Sequence, residues 1–189
     1  MAGRHGPGGA GPDGAGQAAR GRRDGQTGRA VELREETDAD WWEVEALFDL
    51  CFAPGREALS SYRLREGVAP VAALCLVGRE HGAVVCALRT WPVRVGGAPA
   101  ALVGPVAVHP TRQGEGLGAA LMADLAARAA AHGWTRLLLV GDAPYYGRFG
   151  YARLDGVDMP PPTNPDRVLG RGDWAGVTGP VTRWQGPAP

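Results

Sequence analysis

The chain has 189 residues, of which 44% are hydrophobic, and this size and composition are typical of one globular domain with a buried core. All 20 basic residues are arginines, and 20 acidic residues balance them, so the formal net charge is zero. Because nucleic-acid-binding modules usually carry clustered excess positive charge, we do not expect nucleic acid as an obligate partner.

Residues 1–29 contain no Val, Leu, Phe, Trp or Tyr, and ten of the first thirty residues are glycine. Such a segment buries too little apolar surface to offset the entropy lost on ordering, so disorder is predicted there. It also lacks the apolar run of a secretory signal, and no run elsewhere is long enough to span a membrane. The folded domain is therefore predicted at residues 30–186, with no membrane partner.

The chain has three cysteines, Cys51, Cys75 and Cys86. They are odd in number, lie among apolar residues and lack the spacing of a metal site, so buried reduced thiols and no bound metal are predicted. Reduced thiols are typical of the cytosol, and we expect a cytoplasmic protein.

The first predicted elements are a short strand at residues 31–35 and a helix capped by Thr37 or Asp38. Apolar residues at helical spacing give this helix one buried face: Trp41, Val44, Phe48 and Cys51. Pro54 and Gly55 end it. A second, more polar helix is predicted at residues 57–65 and is closed by Gly67.

Two apolar runs of strand length follow, at residues 71–80 and 84–95. The dipeptide His81-Gly82 between them is a turn signal, so the runs predict an antiparallel hairpin.

A turn at residues 96–99 then leads into a third antiparallel strand at residues 101–108. Gly104 and Pro105 lie in the middle of this strand, where proline removes a ladder donor and predicts a bulge.

A glycine-rich segment follows the strand at 101–108 and leads into a helix in which Leu117, Leu121 and Leu125 recur at every fourth position. Glycines at a helix N-terminus let the backbone approach a ligand closely, and the unpaired amides and the helix dipole favour an anion. The segment Gln113-Gly114-Glu115-Gly116-Leu117-Gly118 therefore predicts a site for a pyrophosphate.

The helix ends near His132, a residue type that complements the helix dipole there. It crosses over to a strand at residues 134–140, which should run parallel to the strand at 101–108. After a proline-rich connector at residues 160–165, a last strand is predicted at residues 177–184. The sequence thus predicts an α/β (α+β) domain with a mixed, mostly antiparallel sheet flanked by helices.

At two motifs the sequence resembles the GNAT superfamily of N-acetyltransferases. The family's acetyl-CoA motif has Gln or Arg, then Gly three residues on, then Gly or Ala two residues later, and here these are Gln113, Gly116 and Gly118. The segment Tyr145-Tyr146-Gly147-Arg148-Phe149-Gly150-Tyr151 is similar to the aromatic turn that follows the family's fifth strand. Gly141 and Asp142 before this turn are typical of the YhbS-like branch.

The resemblance implies that acetyl-CoA binds between a splayed central pair of strands and donates its acetyl group directly to a primary amine of a small molecule, peptide or protein. It implies that the cofactor contacts Tyr146, the strand residues Val106, Ala107 and Val108, and the turn and helix residues Gln113, Gly114, Glu115, Gly116, Leu117, Gly118 and Ala119. The helix capped by Thr37 or Asp38 and the helix at residues 57–65 would flank the acceptor.

Acetyl transfer needs a polarised carbonyl, a neutral amine and a proton for the departing thiolate. The resemblance implies that Tyr146 is the general acid, since a phenol can donate this proton. No carboxylate lies on the central strand as a general base, and His109 and Asp142 are expected to be structural. Of the other turn residues, Arg148 is expected to be exposed, and these are predicted to be core: Tyr145, Phe149 and Tyr151.

Two alternatives stay open. The segment Gly114-Glu115-Gly116-Leu117-Gly118-Ala119 also fits a dinucleotide-binding fingerprint, with Asp142 near the expected distance. That fingerprint normally follows the first strand of a doubly wound sheet, whereas a hairpin precedes it here. The second alternative is an acyl-CoA-binding regulatory domain or pseudoenzyme, which the missing carboxylate base would permit.

Overall fold

In the computed structural model, residues 31–52, 55 and 60–184 are described. The predicted disordered segment at 1–29 lies outside them, as do residues 57–59, which begin the second predicted helix. The helices are α1 (Trp41–Phe52), α2 (Ser60–Arg63), α3 (Leu117–Ala131) and α4 (Ala143–Gly147). The strands are β1 (Glu32–Glu35), β2 (Leu76–Glu80), β3 (Ala83–Val95), β4 (Ala98–Val108), β5 (Arg136–Val140), β6 (Ala152–Arg153), β7 (Val157–Asp158), β8 (Val168–Gly172) and β9 (Gly179–Arg183).

The strands form one mixed sheet in the order β1-β2-β3-β4-β5-β8-β6, with β9 paired to β3 and to β7. Within the described chain, the parallel pairs are β4 with β5 and β7 with β9, and the other pairs are antiparallel. The crossover through α3 makes β4 and β5 parallel, as the sequence predicted. The predicted fold class is therefore confirmed.

The core lies on both faces of the sheet because side chains alternate along each strand. On one face, α1 packs Val44, Leu47 and Phe48 against β2, β3 and β4, including Val77, Ala87 and Ala107. On the other face, α3 packs Leu121, Met122, Leu125 and Ala129 against residues that include Leu76, Leu88, Ala101 and Leu139. The sheet is thus enclosed by one long helix on each side.

The β2–β3 hairpin and the β4 bulge were both predicted correctly. His81 and Gly82 have φ values of 50° and 84°, the two left-handed residues of a tight hairpin turn. Thr90 pairs with Val103 and Leu88 pairs with Val106, so Gly104 and Pro105 together face one residue of β3. This is a β-bulge, located where proline cannot donate to the ladder.

Other predictions were partly wrong. Residues 71–75 are not strand, because Leu74 and Cys75 donate backbone hydrogen bonds to Val71 and Ala72 and close a 3-10 turn over Ala72–Leu74. Trp41 is 60% exposed rather than buried, since α1 begins there after a 3-10 turn that Thr37 caps. Strand β8 was not predicted.

The cysteines agree with the prediction of reduced thiols. All three are free, with Cys75 and Cys86 buried and Cys51 half-buried. Burial raises the pKa of Cys75 to about 12 and that of Cys86 to about 11, so both thiols stay protonated at neutral pH.

Asp40 is a buried carboxylate that joins β1, β2 and the start of α1. It accepts two hydrogen bonds from Arg34 at 2.6 and 2.7 Å, one from Arg79 at 2.6 Å, and one from the Thr37 amide at 2.9 Å. The hydrogen bonds from Arg34 are the largest cause holding the pKa of Asp40 well below its usual range. The ionised Asp40 carboxylate therefore stabilises the folded protein fully above about pH 3.9, the ordinary carboxyl pKa in the unfolded chain. This stabilisation is lost as the pH falls from there toward the lowered pKa of Asp40 in the folded protein.

We expect Asp40→Ala to lower the free energy of unfolding by about 2–4 kcal/mol at pH 7, because two guanidinium groups lose a charged partner. Urea denaturation would measure the change, which should shrink when the comparison is repeated below about pH 3.9. The control is Asp38→Ala in the same turn, where the side chain is exposed and a change within about 0.5 kcal/mol is expected. Equal effects of the two substitutions would contradict this role of Asp40.

Candidate active site

The site begins where β4 and β5 diverge. These strands pair at Ala101 with Leu137 and at Leu102 with Leu138. Strand β4 continues to Val108 and β5 to Val140, yet no further pairing joins them in the described chain. The bulge at Gly104 and Pro105 lies at the point of divergence, so β4 presents an open backbone edge beyond it.

The backbone groups on this open edge can be assigned from the ladder. The His109 amide donates to the Val85 carbonyl at 2.9 Å, so His109 directs its backbone toward β3. Because hydrogen-bonded and non-hydrogen-bonded pairs alternate along an antiparallel ladder, the backbone amide and carbonyl of Ala107 also point toward β3. Val106 and Val108 therefore direct their amides and carbonyls toward the gap between β4 and β5.

A groove of about 450 Å³ lies between the end of β4, the start of α3 and α4. It is lined by Val106, Val108, Arg112, Gln113, Gly114, Gly116, Leu117, Gly118, Ala119, Tyr145, Tyr146 and Arg148. The Gln113 side-chain amide Nε2 donates to the Val108 carbonyl at 3.4 Å and so joins the glycine-rich turn to β4.

The start of α3 points backbone donors into this groove. Gly116 caps the helix, and the first intrahelical bond runs from the Ala120 amide to the Gly116 carbonyl at 3.0 Å. The amides of Leu117, Gly118 and Ala119 precede that bond and have no helical acceptor. Together with the positive end of the helix dipole, they form a site suited to an anion.

The glycines of the turn keep these amides accessible. Gly114 and Gly116 have φ values of 85° and 86°, and a Cβ at either position would meet no atom within 4 Å. The space above the turn is therefore open to a ligand. Gly118 has another role, because a Cβ there would lie 2.7 Å from the Tyr145 hydroxyl.

Charged side chains at the groove are mostly paired. Arg112 binds Glu115 at 2.8 Å and also binds Glu80, and these contacts raise the pKa of the arginine and lower that of Glu115. Arg148 is exposed, lines the groove and stacks on Tyr145 at 4.6 Å.

A second cavity, of about 280 Å³, lies on the other side of the gap between β4 and β5. Phe52 from the end of α1, Tyr62 from α2 and Arg65 just after α2 line one side of it. Ser61 of α2 also lines this side. The rest of the lining comes from β4, β5 and residues that follow β5: Leu102, Val103, Gly104, Pro105, Val106, Leu139, Val140, Gly141, Asp142, Tyr146 and Arg167.

Tyr146 and Val106 line both the groove and the second cavity. The Tyr146 ring packs at the end of β5, where a Cβ on Gly141 would lie 2.3 Å from it, so glycine is required there. Burial, and to a lesser extent Tyr145, raises the pKa of Tyr146, while Arg167 opposes the shift. The hydroxyl therefore stays protonated at neutral pH and is available as a proton donor.

The predicted site residues all line the groove except Ala107 and Glu115. Ala107 is buried against α1, so only its backbone belongs to the central strand, and Glu115 is exposed and paired with Arg112. Neither side chain lines the groove.

The residues expected to be structural have structural partners. His109 accepts a hydrogen bond from the Thr111 amide and begins a 3-10 turn. Asp142 caps α4 by accepting from the Tyr145 amide at 3.2 Å, and His132 ends α3.

For the aromatic turn, the core prediction holds for Tyr151 and not for Tyr145. Tyr151 is 5% exposed and Phe149 is half-buried, whereas Tyr145 is 38% exposed and lines the groove. The signal that was missed is helical spacing, since Tyr145 and Arg148 are three residues apart and share a face of the turn. Phe52, Tyr62, Arg65 and Arg167 were also missed, because nothing local in the sequence relates them to the strands.

Across residues 31–52, 55 and 60–184, no group of three or more His, Cys, Asp or Glu side chains is placed to hold a metal ion. None of the helices in the described part of the chain is long and apolar enough to cross a bilayer.

Comparison with known proteins agrees with this geometry. The family model described as an acetyltransferase (GNAT) domain matches residues 32–154, well over half of the chain. The chain is similar to the GNAT family N-acetyltransferase YhbS of Escherichia coli, solved in complex with CoA, with 26% identity and a TM-score of 0.70 over 82% of this chain and 89% of that one.

It is also similar to a GNAT family acetyltransferase of Brucella melitensis solved with acetyl-CoA, with 29% identity and a TM-score of 0.58 over 82% of this chain and 96% of that one. Naa50 of Arabidopsis thaliana shares the fold at 14% identity and a TM-score of 0.54, over 76% of this chain and 99% of that one. Comparison with curated proteins gave no match. The domain match and the splayed β4–β5 pair together show that the chain belongs to the GNAT family of acetyltransferases.

Proposed function

We propose that this chain is an N-acetyltransferase that binds acetyl-CoA in the groove and transfers the acetyl group directly to a primary amine in the second cavity. The observation that carries the proposal is that Tyr146 and Val106 line both spaces. A thioester reaching this point from the groove and an amine reaching it from the cavity would meet there. The proposed domain extends over residues 30–186.

The residues of the groove fit the donor. The open space above Gly114 and Gly116 leaves the amides of Leu117, Gly118 and Ala119 accessible to the pyrophosphate. The outward backbone of Val106 and Val108 would pair with the pantetheine arm, and the Val106 amide would polarise the thioester carbonyl. The similar proteins from E. coli and B. melitensis were solved with CoA and acetyl-CoA, which supports this assignment.

Acetyl-CoA supplies an activated acyl group with a thiolate leaving group. The neutral amine nitrogen forms a bond to the carbonyl carbon, and the carbon–sulfur bond breaks. Tyr146 gives its hydroxyl proton to the departing sulfur, the proton lost by the amine passes to water, and water returns a proton to the Tyr146 oxygen. Tyr146 is well suited to this step because burial keeps its hydroxyl protonated.

A second candidate function is acyl-CoA binding without turnover. Of the described residues that line the second cavity, Asp142 is the one carboxylate, and it already caps α4. The base that deprotonates the amine would therefore have to be water, or the amine would have to enter the cavity already neutral. A single-turnover measurement with amine acceptors separates the two functions, because a binding domain releases no CoA.

We expect acetyl-CoA to stabilise the protein against heat and NAD to leave it unchanged. A ligand present at about 100 times its dissociation constant adds about 2.7 kcal/mol to the free energy of unfolding. Thermal denaturation with acetyl-CoA, CoA, NAD and FAD at matched concentrations would measure this. Stabilisation by NAD or FAD and not by acetyl-CoA would favour the dinucleotide-binding alternative and contradict the proposal.

A further inference from the structure

Tyr145 places its hydroxyl beside the start of α3. A Cβ built on Gly118 would lie 2.7 Å from this hydroxyl oxygen and 3.7 Å from a methyl group of Val108. Because a Cβ is one bond from its Cα, the hydroxyl lies in the space that a side chain at Gly118 would occupy. It is therefore located between the end of β4 and the first turn of α3, which form two walls of the groove.

This hydroxyl is available to a ligand. Tyr145 is 38% exposed and lines the groove. Its hydrogen bonds with described side chains use its backbone, since its amide donates to Asp142 and its carbonyl accepts from Arg148, both at 3.2 Å. Among the described residues, none is hydrogen-bonded to the hydroxyl. A tyrosine hydroxyl can donate one hydrogen bond, and here that donor points into the groove unused.

The ring that carries the hydroxyl is held in place by its neighbours. The centre of the Tyr145 ring lies 4.9 Å from that of Tyr146 and 5.5 Å from that of Phe149, and both pairs are edge to face. The guanidinium carbon of Arg148 lies 4.6 Å from the centre of the same ring. Such contacts stabilise one orientation of the ring. Binding a ligand through the hydroxyl therefore costs little side-chain entropy.

The groups next to the hydroxyl are suited to a phosphate. The amides of Leu117, Gly118 and Ala119 have no helical acceptor and line the groove at the positive end of α3. A pyrophosphate offers several acceptor oxygens, so one oxygen can accept from these amides while another accepts from the hydroxyl. A hydrogen bond to a charged oxygen is about twice as strong as one between neutral groups.

We infer that the Tyr145 hydroxyl donates a hydrogen bond to the pyrophosphate of the acyl donor, beside the free amides of α3. This gives Tyr145 a role in binding the donor, whereas its neighbour Tyr146 takes part in the chemical step. The inference rests on the proposed function, because it adds a contact to the same donor site. It also explains why Gly118 is glycine in a motif that admits alanine, since a methyl group there would collide with the hydroxyl.

The first test is Tyr145→Phe, which keeps the ring and removes the hydroxyl. Dissociation constants would be measured for CoA and for dephospho-CoA, which lacks the ribose phosphate, by calorimetric titration. Pantetheine, which lacks the pyrophosphate and the nucleotide, would be measured by NMR titration because it binds most weakly. We expect Tyr145→Phe to weaken the binding of CoA and dephospho-CoA by about tenfold each and that of pantetheine by about twofold at most.

The matched control for Tyr145→Phe is Tyr151→Phe. Tyr151 belongs to the same aromatic turn, is buried and does not line the groove. Its substitution also removes one hydroxyl from a tyrosine, so the dissociation constants of all three ligands should stay within about twofold of the parent values.

The second test is Gly118→Ala, whose methyl group would displace the hydroxyl of Tyr145. The φ of Gly118 is not left-handed, so alanine does not strain the backbone there. We expect Gly118→Ala to weaken the binding of dephospho-CoA by about fivefold to tenfold in the parent and by about twofold at most in Tyr145→Phe, where no hydroxyl is displaced. A methyl group that only blocked the ligand would weaken binding equally in both backgrounds and would contradict the inference.

Three results with Tyr145→Phe would overturn the inference and leave the acetyltransferase proposal intact. Unchanged binding of every ligand would mean that the hydroxyl makes no contact with the donor. Equal losses for all three ligands would mean that Tyr145 contacts the pantetheine arm or only packs, and a loss confined to CoA would mean that it binds the ribose phosphate. No binding of CoA to the parent protein would instead count against the proposed function, and the inference would fail with it.

Discussion

Replacement of Tyr146 by phenylalanine is expected to lower the rate constant of acetyl transfer by about 10²-fold or more, with little change in the dissociation constant of acetyl-CoA. The substitution keeps the ring that packs against Gly141 and removes only the hydroxyl. A proton given to sulfur as the carbon–sulfur bond breaks stabilises the transition state and not the bound ground state. The loss should therefore appear in single-turnover kinetics and not in cofactor binding.

The control for Tyr146→Phe is the same substitution at Tyr151. The two rings are 6.1 Å apart, Tyr151 is buried, and among the described residues its hydroxyl has no hydrogen-bond partner. Tyr151→Phe should keep a parent-like transfer rate. If Tyr146→Phe also transferred acetyl at the parent rate, Tyr146 would be a packing residue and the general acid would have to be another group.

The pH dependence of the transfer step gives a second readout for Tyr146. Burial raises the pKa of its hydroxyl above the ordinary tyrosine value of about 10. The hydroxyl donates a proton only below its pKa, so the parent rate constant, expressed per concentration of neutral amine, should hold across neutral pH and fall above about pH 10. This fall at high pH should be missing in Tyr146→Phe.

Gly116→Val is expected to weaken acetyl-CoA binding by about 10²-fold or more while the domain stays folded. Valine would fill the open space above the turn and keep the pyrophosphate from the amides of Leu117, Gly118 and Ala119. Loss of two charge-assisted hydrogen bonds of about 1.5–3 kcal/mol each accounts for a change of this size. Calorimetric titration with acetyl-CoA would measure it.

The left-handed φ of 86° at Gly116 means that valine also strains the backbone, by about 1–3 kcal/mol. Gly133 provides a matched control, because it has φ of 75°, has open space at its Cβ position and lies just beyond the other end of α3. Gly133→Val should cost similar stability and leave acetyl-CoA binding unchanged. Equal binding losses in the two variants would mean that strain, and not contact with the donor, explains the effect.

Several elements could be predicted from local signals in the sequence. The hairpin at His81-Gly82, the bulge at Gly104-Pro105 and the glycine-capped start of α3 were all predictable. Each depends on backbone conformations that few residue types adopt, so a few neighbouring residues carry the information. The resemblance to the GNAT family depended on the same segments, since the glycine-rich turn and the aromatic turn are contiguous motifs.

The surroundings of the gap between β4 and β5 could not be predicted from local signals, because they depend on contacts between distant parts of the chain. Strand β8 pairs beside β5 and leaves Arg167, at its start, at the second cavity, while Arg65 reaches the same cavity from the loop after α2. Packing also decided that Tyr145 lines the groove instead of joining the core, because Gly118 admits the hydroxyl of Tyr145 while Gly141 admits the ring of Tyr146. Such contacts join residues far apart in the chain, and they depend on strand register and side-chain direction that no local pattern specifies.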